Sequence, residues 1–317
     1  MNAVHDTLAA LKSDGVNLSL SELIRYQQLT KLLNLKPATP PRALMSGGYL
    51  SRHKGRGMEF DEARHYQPGD DIRAIDWRVT ARTGKTHTKI YREERERPVF
   101  ILCDLTAGMQ FGSQLLLKSV QAAHIAALLS WSAAARGDKV GAFIFNDTMH
   151  RECKPLSRQR AVLSLCHELI RVQQGAAQKD AQISQAFSDA CLRLRRLARP
   201  GSLVYLISDF ENLQQGAEQP LSHLARHCDV HAIRVGDPMD THLPDVAVSQ
   251  QVSVTNGADE QSWLLGDKSL GKKYSQWRGE VKTGIESFFQ SKMIKFSQVS
   301  AGLPLEQQLE MLGRQPR

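Results

Sequence analysis

The chain has 317 residues, 41% of them hydrophobic and 23% charged, with 41 Lys+Arg against 33 Asp+Glu. That composition excludes a disordered or collagen-like polymer and leaves room for one large or two small globular domains with ample core. A formal net charge of +8 points to an acidic partner, a description that nucleic acid, an anionic membrane surface and an acidic protein all satisfy. The five cysteines, Cys103, Cys153, Cys166, Cys191 and Cys228, are odd in number and form no Cys-x-x-Cys. They suit buried free thiols in a reducing cytoplasm rather than a disulfide scaffold. The first residues, Met-Asn-Ala-Val-His-Asp, lack the basic region and apolar core of a signal peptide. The most apolar stretch, Leu115 to Trp131, is broken by Lys118, Gln121 and His124, which predicts a buried helix rather than a membrane span. A soluble, cytoplasmic protein is expected.

Residues 1–41 form a first segment of helix and Pro-rich linker. Ser19-Leu20-Ser21-Glu22 is a capping box that starts a helix to about Leu35, and Pro37, Pro40 and Pro41 end it. Residues 42–97 form a second segment, opening on Gly47-Gly48 and the basic arm Arg52-His53-Lys54-Gly55-Arg56 before the polar stretch 66–82. Residues 98–236 form the third. Val99 to Cys103 is an apolar run expected of a strand buried on both faces, followed by a helix from Ser113 to about Ala135 and a strand from Val140 to Phe145. Helices at 157–172 and 182–198, a strand Leu203–Ile207, a helix at 217–227 and a strand Val230–Val235 complete an alternation that predicts a parallel sheet covered by helices on both faces. In the last segment, 237–317, the run Val246 to Val254 alternates like an antiparallel strand. A helix near 276–291 and a strand near 294–299 then return the chain to the sheet.

The stretch Tyr66 to Arg82 is the most specific in the chain. Pro68-Gly69 predicts a type II turn, because proline presets φ and glycine accepts the positive φ that follows. Asp70 and Asp71 stand where a carboxylate caps the next backbone N–H groups. Arg73 or Arg78 is expected to pair with Asp70, Asp71 or Asp76, and Trp77 to anchor the knot as a buried apolar side chain. Physics alone describes a rigid, internally satisfied loop. Gly57-Met58-Glu59-Phe60, Arg64-His65-Tyr66-Gln67-Pro68-Gly69-Asp70-Asp71, Arg73, Ile75-Asp76-Trp77 and Ala81-Arg82 closely resemble the signature of the bacterial family catalogued as domain of unknown function 58. The resemblance continues more weakly to about residue 313. It implies a von Willebrand factor A-like, doubly wound, mainly parallel α/β fold. It also implies a small β-containing subdomain built from the signature segment and the region after residue 245, and association with MoxR-type AAA+ ATPases.

In open α/β sheets, ligands bind beyond the carboxyl ends of strands where strand order reverses. Two strands here end in aspartate, at Asp104 and Asp209. This resembles a von Willebrand A domain, which implies a divalent cation held by Asp-x-Ser-x-Ser, a later threonine and a second aspartate. Asp104, Thr106 and Asp209 match that pattern, whereas Gly108 and Ala181, beside Asp180, offer no ligand. Mg²⁺ wants about six oxygens, so weak Mg²⁺ binding at most, and no required cofactor, is the expectation. Asp104 and Asp209 are expected to cap helix N-termini in a vestigial pocket, with Met109 and Phe210 exposed on its rim for a partner.

Other constellations are weaker. His223 and His227 lie four apart on what reads as a polar helix face, with Cys228 and His231 nearby, all of them zinc-ligand residue types. His167-Glu168 lacks the second histidine of a zinc protease motif, and Asp70, Asp71 and Asp76 are interleaved with arginines. The sequence holds no P-loop, dinucleotide fingerprint or Gly-x-Ser-x-Gly elbow. The expectation is a non-enzymatic adaptor that cooperates with a MoxR-type ATPase in chaperone-like complex maturation. The alternatives are nucleic-acid binding through the arm at 52–56 and the basic positions near 268–278, and a metal-dependent hydrolase.

Overall fold

Strands that are apolar at every position need cover on both faces, and the fold supplies it. A computed structural model describes residues 2–30, 58–93, 98–175, 186–211, 213, 216–244, 246, 249–255 and 260–313. The chain divides into two compact units, Met1–Pro41 with Arg97–Arg317, and Arg42–Glu96. The larger unit begins with helices α1 (Asn2–Leu11) and α2 (Leu20–Leu29). The capping box forms as expected: Ser19 Oγ accepts from the Glu22 N–H, and the Glu22 carboxylate accepts from the Ser19 N–H at 2.6 Å. The helix end near Leu35, the proline linker and the basic arm at 52–56 lie outside the described residues.

The smaller unit is an antiparallel pair, β1 (Met58–His65) and β2 (His87–Glu93), with helix α3 (Trp77–Thr83) between them. The larger unit resumes with β3 (Pro98–Asp104), α4 (Lys118–Ala135), β4 (Lys139–Phe145), β5 (His150–Leu156), α5 (Gln159–Gln174) and α6 (Ala186–Leu197). It continues through β6 (Leu203–Ser208), α7 (Glu218–His227), β7 (Asp229–Gly236), β8 (Gln250–Thr255), β9 (Glu260–Leu265), α8 (Lys268–Ser291), β10 (Lys295–Ser300) and α9 (Leu309–Gly313). Its six-stranded sheet has the order β10-β7-β6-β3-β4-β5, and only β5 runs antiparallel to its neighbour. This is the mainly parallel, doubly covered sheet that the alternation predicts, and it is consistent with the von Willebrand A-like arrangement that the resemblance implies.

Side chains alternate across β3. Val99, Ile101 and Cys103 enter the core that includes α2, α4 and α5 residues, while Phe100 and Leu102 enter the one with α6, α7 and α8 residues. Helix α4 is buried nearly all round because α2 covers its far side, with Trp131 Nε1–H donating to Leu23 O at 3.0 Å. Its polar breaks are therefore internal contacts: Lys118 meets Asp209, Gln121 donates to Ser300 and Leu303 carbonyls, and His124 faces Glu22.

Three local expectations are corrected. Helix α4 starts at Lys118 rather than Ser113, because the Ser113 N–H and hydroxyl are both held by Asp237, the former at 2.8 Å. Helix α8 starts at Lys268, capped by Asp267; Gly271, Gly279 and Gly284 weaken its helical signal in sequence. The alternating run after Val246 is strand β8, but β8–β9 and β1–β2 are separate two-stranded sheets in different units. They do not make one joint subdomain, since no strand pairing joins them among the described residues. Strand β5 carries Pro155, which an edge strand tolerates. Among the described residues, no helix is long and apolar enough to cross a membrane.

Candidate functional site

The sheet reverses its strand order between β3 and β6, which pair in parallel with Cys103 opposite Ile207. Asp104 ends β3 and Asp209 directly follows β6, so the topology brings two carboxylates, 105 positions apart in chain numbering, to one crevice. Both are buried. Asp104 Oδ1 accepts from the Thr106 N–H at 2.9 Å and Oδ2 from the Ser208 hydroxyl at 2.6 Å. Asp209 Oδ1 accepts from the Glu211 N–H at 3.1 Å, and Oδ2 receives the Lys118 ammonium at 2.7 Å. Burial, then repulsion from Asp209, pushes the Asp104 carboxyl up to about 6 against the pull of its hydrogen bonds. Burial works against the Lys118 charge, but the Asp209, Asp240 and Glu211 carboxylates outweigh it and raise its pKa above the ordinary lysine value.

Asp104, Thr106 and Asp209 come together as expected, yet they do not fit a divalent cation. Such an ion needs about six oxygen ligands. Here each oxygen of both carboxylates already accepts a hydrogen bond, Gly108 supplies no side-chain oxygen, and an ammonium group sits on Asp209. Asp180 and Ala181 lie outside the described residues. No cluster of three or more His, Cys, Asp or Glu side chains suited to a metal occurs among the described residues.

Charges alternate outward from this centre. Arg234, buried in β7, donates from Nε to the Asp209 carbonyl and from Nη2 to Glu211 at 3.2 Å. Arg278 of α8 reaches Glu211 at 2.7 Å and Asp240 at 3.1 Å. Asp147 accepts from the Ala107 N–H at 2.6 Å. Lys118, Ser208, Glu211, Arg234, Asp240 and Arg278 thus belong to the site, and sequence reasoning missed their role. Two carried a signal: Lys118 is the one acidic or basic residue besides His124 in helix α4, and Arg234 is a charge set among apolar residues inside strand β7.

The rim is a correction. Met109 is fully buried, because the tight turn Ala107–Met109 folds it into the core beside α4. Phe210 is buried too. Its φ of +59° carries the ring into the other core, edge-on to Phe187 and Phe289 at 5.8 and 4.8 Å. A non-glycine residue held there is strained. The exposed apolar side chain of the loop after Asp104 is Phe111, 42% accessible.

In the smaller unit, Gln67-Pro68-Gly69-Asp70 closes the predicted turn, with Gly69 at φ +106° and the Asp70 N–H donating to Gln67 O at 3.0 Å. The Asp70 carboxylate takes the Gln67 N–H and the Arg64 guanidinium, which hold its pKa below the usual range. Asp71 caps the Arg73 N–H, and Asp76 caps α3 through the Arg78 and Val79 N–H groups. The expected Arg73 and Arg78 ion pairs do not form among the described residues: Asp70 pairs with Arg64 instead, and Asp71 and Asp76 cap backbone donors. Trp77 is not an anchor either: it opens α3 directly after the inward-turned Asp76 cap and stands 68% exposed, and Ile72 is 66% exposed.

The histidine constellation dissolves. His223 and His227 are exposed, Cys228 donates to the Arg199 carbonyl, and His231 bonds to Ser297 with its pKa lowered to about 4 by burial and then by Lys295.

A mainly parallel, doubly covered sheet with paired charges at its switch point defines an open-sheet α/β protein. Residues 62–274 match the family described as "Protein of unknown function DUF58", and the chain belongs to that family. The uncharacterized protein Rv1480 of Mycobacterium tuberculosis is 33% identical over 237 residues, covering 74% of this chain and 71% of that protein, as is the uncharacterized protein Mb1516 of Mycobacterium bovis. Among solved structures, the conserved hypothetical protein BatB of Bacteroides thetaiotaomicron matches at 16% identity with a TM-score of 0.39, covering 68% of this chain and 97% of its own. An aerotolerance-related membrane protein of Bacteroides fragilis matches at 16% and 0.41, covering 68% and 96%.

Proposed function

We propose that this chain is a non-enzymatic, cytoplasmic interaction protein that cooperates with a MoxR-type AAA+ ATPase in chaperone-like maturation of a client complex and requires no cofactor. The observation that carries this reading is the set of exposed side chains in the signature segment. There Ile72 and Trp77 are exposed, alongside the exposed Arg73 and Arg78, whose guanidinium groups meet no carboxylate among the described residues. Tryptophan and arginine are the side chains that most often dominate protein interfaces. Asp71 and Asp76 cap the segment's own backbone rather than these arginines, so the two guanidinium groups stay available to an acidic partner surface. The crevice supports the same reading, since its polar side chains hold one another.

Co-purification of the chain with the ATPase in the presence of ATP tests this. Wild type is expected to be retained, and a folded Trp77→Ala, Arg78→Ala variant to be lost. Equal retention of that variant sinks the reading. Retention on a single-stranded oligonucleotide, with log-linear loss in salt, would favour nucleic-acid binding instead.

A further inference from the structure

We propose that the Lys118 ammonium is the resident cation of the crevice, a tethered substitute for a divalent ion, and that removing it turns the crevice into a Mn²⁺ and Mg²⁺ site. This rests on the crevice working without a metal, but its test needs only purified protein and Mn²⁺, so the two readings fail separately.

Lys118 is the first residue of α4, where the aligned N–H dipoles of the helix disfavour positive charge. It is also only 4% exposed. A lysine that is both buried and badly placed on its own helix needs a strong counter-charge, and Asp209 supplies it at 2.7 Å, a charge-assisted hydrogen-bond length. Glu211 and Asp240 add attraction from farther out. The ammonium therefore sits where a cation would neutralise the carboxylate at the carboxyl end of β6. A divalent ion arriving there would meet a fixed positive charge, and Asp209 Oδ2 would already be occupied.

Deleting that charge leaves Asp104 and Asp209 as two carboxylates in one buried crevice with the Thr106 hydroxyl nearby. Their mutual repulsion then favours capture of a hard cation, with water completing its shell. Gly108 bears on the same point. A Cβ built on it would lie 3.5 Å from Asp209 Oδ2, an ordinary contact, so a serine there fits and brings a hydroxyl toward the carboxylate.

The experiment is titration with Mn²⁺ at about pH 7.5, well above the ordinary carboxylate range, read by calorimetry and by electron paramagnetic resonance. Wild type and Lys118→Arg are expected to show no saturable binding below millimolar Mn²⁺. Lys118→Ser should bind at least about tenfold more tightly than wild type, and Lys118→Ser with Gly108→Ser more tightly again. Mn²⁺ should raise the melting temperature of the two serine variants and not of wild type. If Lys118→Ser folds only when Mn²⁺ is added, the proposal stands. Micromolar binding by wild type overturns it, as does a folded Lys118→Ser with no gain in affinity. So does a Lys118→Ser that stays unfolded with Mn²⁺ while Lys118→Ser, Asp209→Asn folds.

Discussion

Asp104→Asn tests the electrostatics of the crevice through pH. Burial and the neighbouring Asp209 lift the Asp104 carboxyl from its ordinary 3.8 to about 6. Between those values the folded chain holds a proton that the unfolded chain releases, so stability falls as pH rises through that window. Below about pH 4 both states are protonated and the folded state bears no penalty; above about pH 6 both are ionised and it bears all of it. Each pH unit between the two values costs roughly 1.4 kcal/mol, so the full penalty is about 3 kcal/mol. Asp104 is only 4% exposed, so solvent screening removes little of this. Asparagine keeps the acceptor for the Thr106 N–H but cannot ionise, and its amide faces a Ser208 hydroxyl that can rotate to accept. Urea unfolding followed by far-ultraviolet circular dichroism, in both proteins at matched pH, cancels in the difference the groups that do not interact with Asp104. The stability of wild type relative to the variant should drop by about 3 kcal/mol between about pH 4 and 7. Parallel pH profiles would refute the reasoning.

Lys118→Met should cost about 3–5 kcal/mol in the same assay, because it strands the buried Asp209 carboxylate, and most of that loss should return in Lys118→Met, Asp209→Asn. A double variant no more stable than the single one would show that the pair is not the source. Trp77→Ala should change stability by less than about 1 kcal/mol while abolishing ATPase capture; a large fall in melting temperature would make the side chain a structural anchor after all. Phe210→Ala should cost about 3–5 kcal/mol through the cavity left between Phe187 and Phe289, and a loss under about 1 kcal/mol would contradict its buried placement. EDTA should leave wild-type melting and ATPase capture unchanged, and a downward shift in either would reveal a bound divalent ion.

Sequence alone determined those parts of the fold whose cause is local. Val99 to Cys103 and Leu203 to Ile207 are legible as central strands because burial on both faces demands unbroken apolar runs. The capping box at Ser19 and the turn at Pro68-Gly69 are legible because their hydrogen bonds close within three residues. The meeting of Asp104 and Asp209 followed from a rule of strand order. Only the tertiary structure decided what those carboxylates touch. Lys118 lies 91 positions before Asp209, and nothing in helical periodicity says which charge a buried lysine faces. Phe210 and Trp77 were assigned the wrong sides for a related reason. An aromatic side chain is compatible with either environment, and its direction depends on one backbone φ in the first case and on an adjacent helix cap in the second. Local pattern encodes how a segment curls and which face is apolar, while the partner of a buried charge is chosen by elements distant in the chain.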